Sequence, residues 1–120
     1  MSNQETTEPT ASASLDTLYD LLANQRRRYA ISCLQDHGSI ALPDLADEVV
    51  CYENDAPITE IPEKEVLRVY STLWHAHIPK LAEAGVVEYD QEQDIVTLGG
   101  NADQVDSLPL TNGPEGEDSG

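Results

Sequence analysis

Basic residues are scarce in this sequence of 120 residues. Six lysines and arginines are set against 23 aspartates and glutamates, which gives a formal net charge of −17. Phenylalanine is absent, and no apolar run approaches the about 20 residues of a membrane-spanning helix. Cys33 and Cys51 lack the close spacing of a zinc or redox motif, so free buried thiols are expected. The N-terminal segment MSNQETTEPTASAS has no basic or apolar region, so we expect no signal peptide and a cytoplasmic location.

The excess of acidic residues has two interpretations. High net charge with low hydrophobicity is typical of disorder, yet 39% of the residues are hydrophobic and they recur periodically in the middle of the chain. The other interpretation is adaptation to multimolar salt, where a Debye length of about 3 Å at 1 M screens the repulsion between carboxylates. We therefore expect disorder at the ends only, and a halophilic source. Charge of this sign opposes electrostatic binding to membranes and to nucleic acids in general.

The chain divides into one domain and two tails. Residues 1–13 and 101–120 are rich in small, polar and acidic residues, and both are predicted to be disordered, the second as an acidic tail. Residues 14–100 are predicted to form the domain, which is too small for two separate cores.

Four helices are predicted within this domain. The first begins after the N-cap Ser14 and carries the apolar stripe Leu15, Leu18, Tyr19 and Leu22. The second covers residues 25–37, stops at Gly38 and buries Ala30, Ile31, Cys33 and Leu34. The third opens at Pro43 and buries Leu42, Leu45, Ala46, Val49 and Val50.

The fourth helix is the longest, and it follows a predicted loop over residues 53–61. It begins at Pro62 and runs to about Ala84. Pro79 removes one backbone donor and clashes with the preceding turn, so a kink or a restart is expected near Ile78.

Extended segments complete the pattern. Residues 39–41 are predicted to be a short bridge, and residues 86–90 and 94–98 to be two strands joined by Gln91, Glu92 and Gln93. Gly99 and Gly100 are expected to end the ordered region. The predicted fold is mainly α with a small β-hairpin: a winged helix-turn-helix of four helices plus a wing. The third helix and the start of the fourth form the helix-turn-helix motif.

Two stretches are similar to known regulators. LYDLLANQRRRYAISCLQDHGSIALPDLADEV resembles the opening of ArsR-like winged-helix regulators, and IPKLAEAGVVEYD with DIVTL resembles the end of their recognition helix and their wing. Through LLANQRRRY, YENDAP and HIPKLAEAGVVEYD the chain also resembles an uncharacterised winged-helix family of halophilic archaea. The resemblance covers roughly residues 15–99 and implies the fold. It suggests regulation only by analogy.

A polar stripe on the fourth helix is the first candidate for a DNA contact. Its members lie at i, i+4, i+7, i+8 and i+11 and therefore share one face: Lys64, Arg68, Ser71, Thr72 and His75. Arginine can contact guanine with two hydrogen bonds, and the smaller polar side chains reach base edges or phosphates. The alternative is an ordinary solvated helix face.

Half of the basic residues stand together as Arg26, Arg27 and Arg28. Arg26 and Arg28 are predicted to contact phosphates at the start of the second helix. The resemblance implies that Arg27 instead pairs with acids on a neighbouring element. The wing tip, residues 90–94, carries acidic side chains that phosphates would repel, so wing contact with DNA is not expected.

The remaining residue types give no catalytic or metal motif. His75 and His77 are two residues apart and thus lie on different helix faces, so no metal site is predicted. Trp74 and Tyr70 are expected to be core or dimer-contact aromatics. No catalytic motif is present, so we expect neither an enzyme nor a cofactor.

Two functional hypotheses follow. The first is a transcriptional regulator that binds double-stranded DNA, with homodimerisation through Leu15, Tyr19 or residues 108–110. The alternative is a winged-helix module for protein–protein interaction without DNA binding. Positive potential around Arg26, Lys64 and Arg68 would favour the first. An exposed apolar patch on the wing or on the first helix would favour the second.

Overall fold

Local capping defines the first two helices. A computed structural model of the protein describes residues 12–108, in which helix α1 spans Leu15–Leu22 and helix α2 spans Gln25–His37. The Ser14 hydroxyl accepts a hydrogen bond from the Thr17 N–H at 3.1 Å, and the Asn24 side chain accepts one from the Arg27 N–H at the same distance. Gly38 ends α2 at a φ of 77°, where a side chain would be strained. The predicted ends of both helices are confirmed.

The apolar stripe of α1 differs from the prediction. Leu18, Leu21 and Leu22 are buried, whereas Leu15 and Tyr19 keep 55% and 39% of their surface exposed. The spacing of apolar residues could not distinguish these sets, because all five lie on one continuous face of α1 and only part of that face packs against the core.

Helix α3, Leu42–Asn54, carries the densest part of the core. Its predicted inner face is confirmed, since five side chains are fully buried: Leu42, Leu45, Ala46, Val49 and Val50. The helix ends at Asp55, which has a φ of 51°. The predicted loop over residues 53–61 is partly wrong, because α3 continues to Asn54 and Ile58–Glu60 forms a 3₁₀ turn.

The predicted fourth helix consists of three consecutive segments. Helix α4 spans Glu63–Thr72, a π-helical turn spans Leu73–His77, and helix α5 spans Ile78–Glu83. Within the π turn the Ile78 N–H donates to the Leu73 carbonyl, five residues earlier. Pro79 lacks an N–H and cannot continue the α-helical ladder, so the wider turn accommodates it. The restart expected at Ile78 is confirmed.

A small antiparallel sheet packs beside these helices. Strands β1 (Ser39–Ala41), β2 (Val87–Asp90) and β3 (Ile95–Leu98) lie in the order β1-β3-β2. Ile40 and Tyr89 both align with Val96, which is fully buried. The predicted bridge is thus a strand that extends the hairpin. The fold is mainly α with a small wing: α3 and α4 form the helix-turn-helix, and β2 with β3 forms the wing.

The predicted C-terminal tail is wrong for residues 101–108. Helix α6, Ala102–Asp106, folds back on the domain, and Val105 and Leu108 are buried. The Gln104 side chain hydrogen-bonds to the backbone N–H and carbonyl of Ala13 at 3.0 and 3.2 Å. Polar composition concealed this helix, because Val105 is the only large apolar residue between Ala102 and Asp106. Residues 1–11 and 109–120 of the predicted tails lie outside the described residues.

Buried side chains from all these elements form one core. Burial of a single leucine or valine of this kind contributes about 1.5–3 kcal/mol relative to exposure. Between residues 12 and 108, no helix has both the length and the apolar content needed to cross a membrane.

Candidate nucleic-acid interface

The outer face of α4 and the π turn carries most of the predicted contact residues. Lys64, Arg68, Ser71 and His75 are exposed there, and the opposite side of the same helix packs into the core through Val69 and Leu73, both fully buried. The shared face that the spacing predicts is therefore present. We refer to Lys64, Arg68, Ser71 and His75 as the outer face.

Thr72, the fifth predicted member, lies behind the outer face. Its hydroxyl donates to the Val69 carbonyl at 3.1 Å and accepts a hydrogen bond from Arg26 Nη1 at 2.8 Å. Its side chain is half-buried. Because the hydroxyl is already paired in both directions, Thr72 has a structural role in the free protein, and its DNA contact stays a prediction.

Arg26 is held by Glu53 of α3. Its Nε and Nη2 donate to the two carboxylate oxygens at 2.5 and 2.7 Å, a two-point contact. The two side chains are only 23% and 15% exposed, and the hydrogen bonds that Arg26 donates to Glu53 raise the pKa of Arg26. The phosphate contact of Arg26 stays a prediction, and it would require a phosphate to displace the Glu53 carboxylate. A partner so distant in sequence was not visible from spacing.

Arg27 and Arg28 donate hydrogen bonds to the backbone carbonyls at the C-terminal end of α1. Arg27 donates from Nε to the Leu21 carbonyl at 2.8 Å and from Nη2 to the Asp20 carbonyl at 3.0 Å. Arg28 donates from Nη1 to the Leu22 carbonyl at 2.6 Å. The last carbonyls of a helix lack partners within it and carry partial negative charge, which these guanidinium groups satisfy.

This arrangement corrects the expectation for Arg27. Its hydrogen bonds go to backbone carbonyls, and the arginine of this cluster that pairs with an acid on a neighbouring element is Arg26. Arg28 has an exposed side chain and stays a predicted phosphate contact.

His77 lies on the inner side of the π turn. Its Nδ1 is 3.4 Å from Arg27 Nη1, and burial, followed by the charges of Arg27 and Arg26, lowers its pKa. The ring is thus favoured as the neutral form, which can accept from Arg27. His75 lies outside on the same turn, as the two-residue spacing predicts. Across residues 12–108, no cluster of three or more His, Cys, Asp and Glu side chains is arranged to hold a metal ion.

The wing is fixed to α4 by a shared carboxylate. Asp94, at a φ of 59°, accepts hydrogen bonds from the hydroxyls of Tyr70 and Tyr89, and its carbonyl accepts one from the Leu42 N–H at 2.8 Å. The hydrogen bond to Asp94 raises the pKa of Tyr89 to about 12. These contacts fix the angle between the wing and the helix-turn-helix.

The tip of the wing has the wrong charge for phosphate contact. The Asp90 carboxylate accepts from the backbone N–H groups of Glu92 and Gln93, which stabilises the turn. No lysine or arginine occurs between residues 87 and 98. Of the two helices of the helix-turn-helix and the two strands of the wing, α4 is therefore the element that carries lysine and arginine side chains.

Two exposed apolar residues beside the outer face were not predicted from the sequence. Leu67 is 62% exposed and Trp74 is 42% exposed, and the Trp74 ring lies 4.4 Å from the His75 ring. Trp74 was expected in the core or in a dimer contact. The exposure of Leu67 could have been predicted from the helical register, since Leu67 is three residues after Lys64 and four before Ser71 and therefore lies on the same side of the helix.

Predicted dimer contacts divide between the surface and the core. Leu15 and Tyr19 are exposed on α1, whereas Leu108 is 6% exposed and packs in the core. Leu108 is therefore unsuited to contact a second chain, and Leu110 lies outside the described residues.

Comparison with known proteins identifies the family of this chain. Residues 19–97 match the family described as Domain of unknown function (DUF7344). The chain belongs to this family. The matched region begins within α1 and ends one residue before the end of β3, so it contains the whole helix-turn-helix and the wing up to Thr97, but not α6. No curated protein and no solved structure matches the chain.

Proposed function

We propose that this protein is a transcriptional regulator that binds double-stranded DNA in the cytoplasm of a halophilic archaeon. The observation that carries the proposal is the outer face of α4, an exposed set of polar and basic side chains on the second helix of a helix-turn-helix. In such motifs this helix enters the major groove. We propose no catalytic activity and no cofactor.

The outer face has the chemistry for reading bases. Arg68 would contact guanine through its two-pronged guanidinium group, while Ser71 and His75 would reach base edges or phosphates. In the free protein, Arg68 Nη1 donates to Glu65 at 2.6 Å, and the two side chains are 59% and 29% exposed. Because exposed pairs of this kind contribute about 0–1 kcal/mol, guanine can replace Glu65 as the partner at little cost.

High salt reconciles this proposal with the net charge of −17. Each phosphate contact makes log affinity fall with log salt at a slope of about −0.9, so counterion release adds little to affinity in multimolar KCl. Affinity must then come from base contacts, shape and apolar area. A protein with few exposed cations is suited to these conditions.

The proposed halophilic source rests on the acidic composition and on the resemblance to a haloarchaeal winged-helix family. It predicts that the melting temperature rises from dilute buffer to multimolar KCl, because screening relieves repulsion among carboxylates. Circular dichroism melts in both conditions measure this. Equal melting temperatures would count against a salt-adapted protein.

Chromatin immunoprecipitation of the tagged protein in its native cell tests DNA binding. The wild type is compared with an Arg68→Ala/His75→Ala variant of the outer face and with Lys80→Ala as a control. Lys80 lies on α5, pairs with Asp20 at 3.2 Å and is 46% exposed, so its loss removes a positive charge away from the outer face. We expect discrete peaks with a shared motif for wild type and Lys80→Ala, and loss of the peaks in the double variant.

A protein–protein interaction module is the second candidate, and a specific observation favours it. Leu15 and Tyr19 form an exposed apolar surface on α1. Arg26 is paired with Glu53 and therefore adds little positive potential to the surface of α4. If no peaks occur and a stable partner co-purifies, this candidate replaces the first.

Homodimerisation through α1 belongs to both candidates. Light scattering in multimolar KCl would then give twice the mass of the chain, and Leu15→Ala/Tyr19→Ala would reduce it to that of a monomer. A monomeric mass for the wild type would refute dimerisation.

A further inference from the structure

We propose that Leu67 and Trp74 recognise the 5-methyl groups of thymine in the major groove. This inference rests on the proposed DNA binding and names the kind of sequence that the protein reads: a site with thymines about three base pairs apart. The two residues would supply specificity through apolar contact, which salt does not screen.

The helical register aligns both residues with the polar outer face. Leu67 lies between Lys64 and Ser71 along the same side of α4, and Trp74 follows two turns after Leu67, next to His75. Seven residues of helix span about 10 Å. At about 3.4 Å per base pair, this distance corresponds to about three base pairs when the helix follows the groove.

The exposed apolar surface of these two side chains is suited to contact an apolar group in the major groove of DNA. Leu67 of α4 and Trp74 of the π turn keep 62% and 42% of their surface in water, beside the basic and hydrogen-bonding side chains of the outer face. In the major groove, thymine differs from the other bases by a methyl group, and apolar side chains recognise it by contact.

Few other sources of affinity are present on this surface. Glu53 neutralises Arg26, Arg28 donates one N–H to a carbonyl, and the wing tip carries carboxylates. Phosphate contacts are therefore few, and their contribution falls further with salt. Apolar burial is the term that persists under these conditions.

The test uses the full chain in multimolar KCl. A duplex is first selected from a random DNA pool, and each thymine of the selected site is then replaced by uracil, which lacks only the methyl group. Loss of one contacted methyl should weaken binding about fourfold, and loss of two about fifteenfold. Fluorescence anisotropy measures the dissociation constants.

Variants assign each methyl group to a side chain. With Leu67→Ala, one thymine should become replaceable by uracil without further loss, and with Trp74→Ala the other. Ile58→Ala, which removes a 40% exposed apolar side chain from the 3₁₀ turn before α4, is the matched control and should keep both uracil effects. Since Leu67 is exposed, its substitution leaves the core intact, which far-UV circular dichroism checks.

The outcomes separate this inference from the proposed function. A selected duplex that tolerates uracil at every position would overturn thymine recognition and leave DNA binding intact. Uracil effects that persist in both variants would equally overturn it. If no sequence is selected from the pool, DNA binding itself is wrong, and the exposed face instead serves a protein partner.

Discussion

Removal of the Glu53 carboxylate is expected to destabilise the domain, because it leaves the Arg26 guanidinium without its two-point partner. Glu53 lies on α3, Arg26 on α2, and the Thr72 hydroxyl on α4 completes the contact at 2.8 Å. The pair thus joins the three helices that set the orientation of the outer face. Glu53→Ala removes the ion pair through which α2 contacts α3 and leaves Arg26 with only the Thr72 hydroxyl of α4.

The magnitude follows from the exposure of the pair. Fully exposed ion pairs contribute about 0–1 kcal/mol, whereas removal of one partner from a buried pair costs about 3–5 kcal/mol. Side-chain exposures of 23% and 15% place Arg26 and Glu53 between these limits. We expect a loss of about 2 kcal/mol in the free energy of unfolding, which lowers the melting temperature of a domain this size by roughly 8–15 °C.

Urea denaturation at constant high KCl, followed by circular dichroism, measures this loss. Glu65→Ala is the matched control, because Glu65 pairs with the exposed Arg68 within α4, and its removal should cost less than about 0.5 kcal/mol. The double variant Arg26→Met/Glu53→Leu should recover much of the stability, since no unpaired charge is left. If Glu53→Ala costs no more than Glu65→Ala, the pair does not join these helices as argued.

Three further predictions concern backbone packing, pH and the C-terminal helix. Gly99→Ala should cost about 1–3 kcal/mol in urea denaturation, because its Cβ would lie 2.5 Å from the Gly85 carbonyl oxygen. Gly100→Ala, which has open space around the new Cβ, should be neutral, and equal losses would refute the argument. Burial, followed by the charges of Arg27 and Arg26, lowers the pKa of His77 from its ordinary value of 6.5, so its contribution to stability is present above pH 6.5 and is lost as pH falls below it. Melting temperatures from pH 7 to 5 should therefore fall less steeply in His77→Gln, and an unchanged slope would contradict this. Val105→Ala should destabilise the domain by about 1–2 kcal/mol and the exposed Asp103→Ala should not, whereas a neutral Val105→Ala would show that α6 adds no stability.

Much of the candidate interface could be predicted because helical register depends only on spacing. The 3.6-residue period predicts the exposed positions of Lys64, Arg68, Ser71 and His75. The same period could have been used to predict that Leu67 and Trp74 are exposed. The partners of the arginines could not be predicted in this way. Arg26 and Glu53 are 27 residues apart, and which arginine reaches the carboxylate depends on how α2 packs against α3.

The ends of most elements follow from the amino-acid sequence, since they depend on residues that are neighbours in the chain. Ser14 and Asn24 cap the helices that follow them, Gly38 ends α2 in a conformation open to glycine, and Pro79 interrupts the helical ladder. The acidic charge and the inner face of α3 were likewise readable from residue type and period.

Which surfaces are buried was set by the tertiary structure and not by local sequence. It paired β1 with β3, placed Val105 in the core, and left Leu15 and Tyr19 in solvent. It also joined Gln104 to Ala13, 91 residues earlier. Each of these depends on segments distant in sequence meeting in space, so the free energy that selects them comes from packing of the whole domain rather than from local preference.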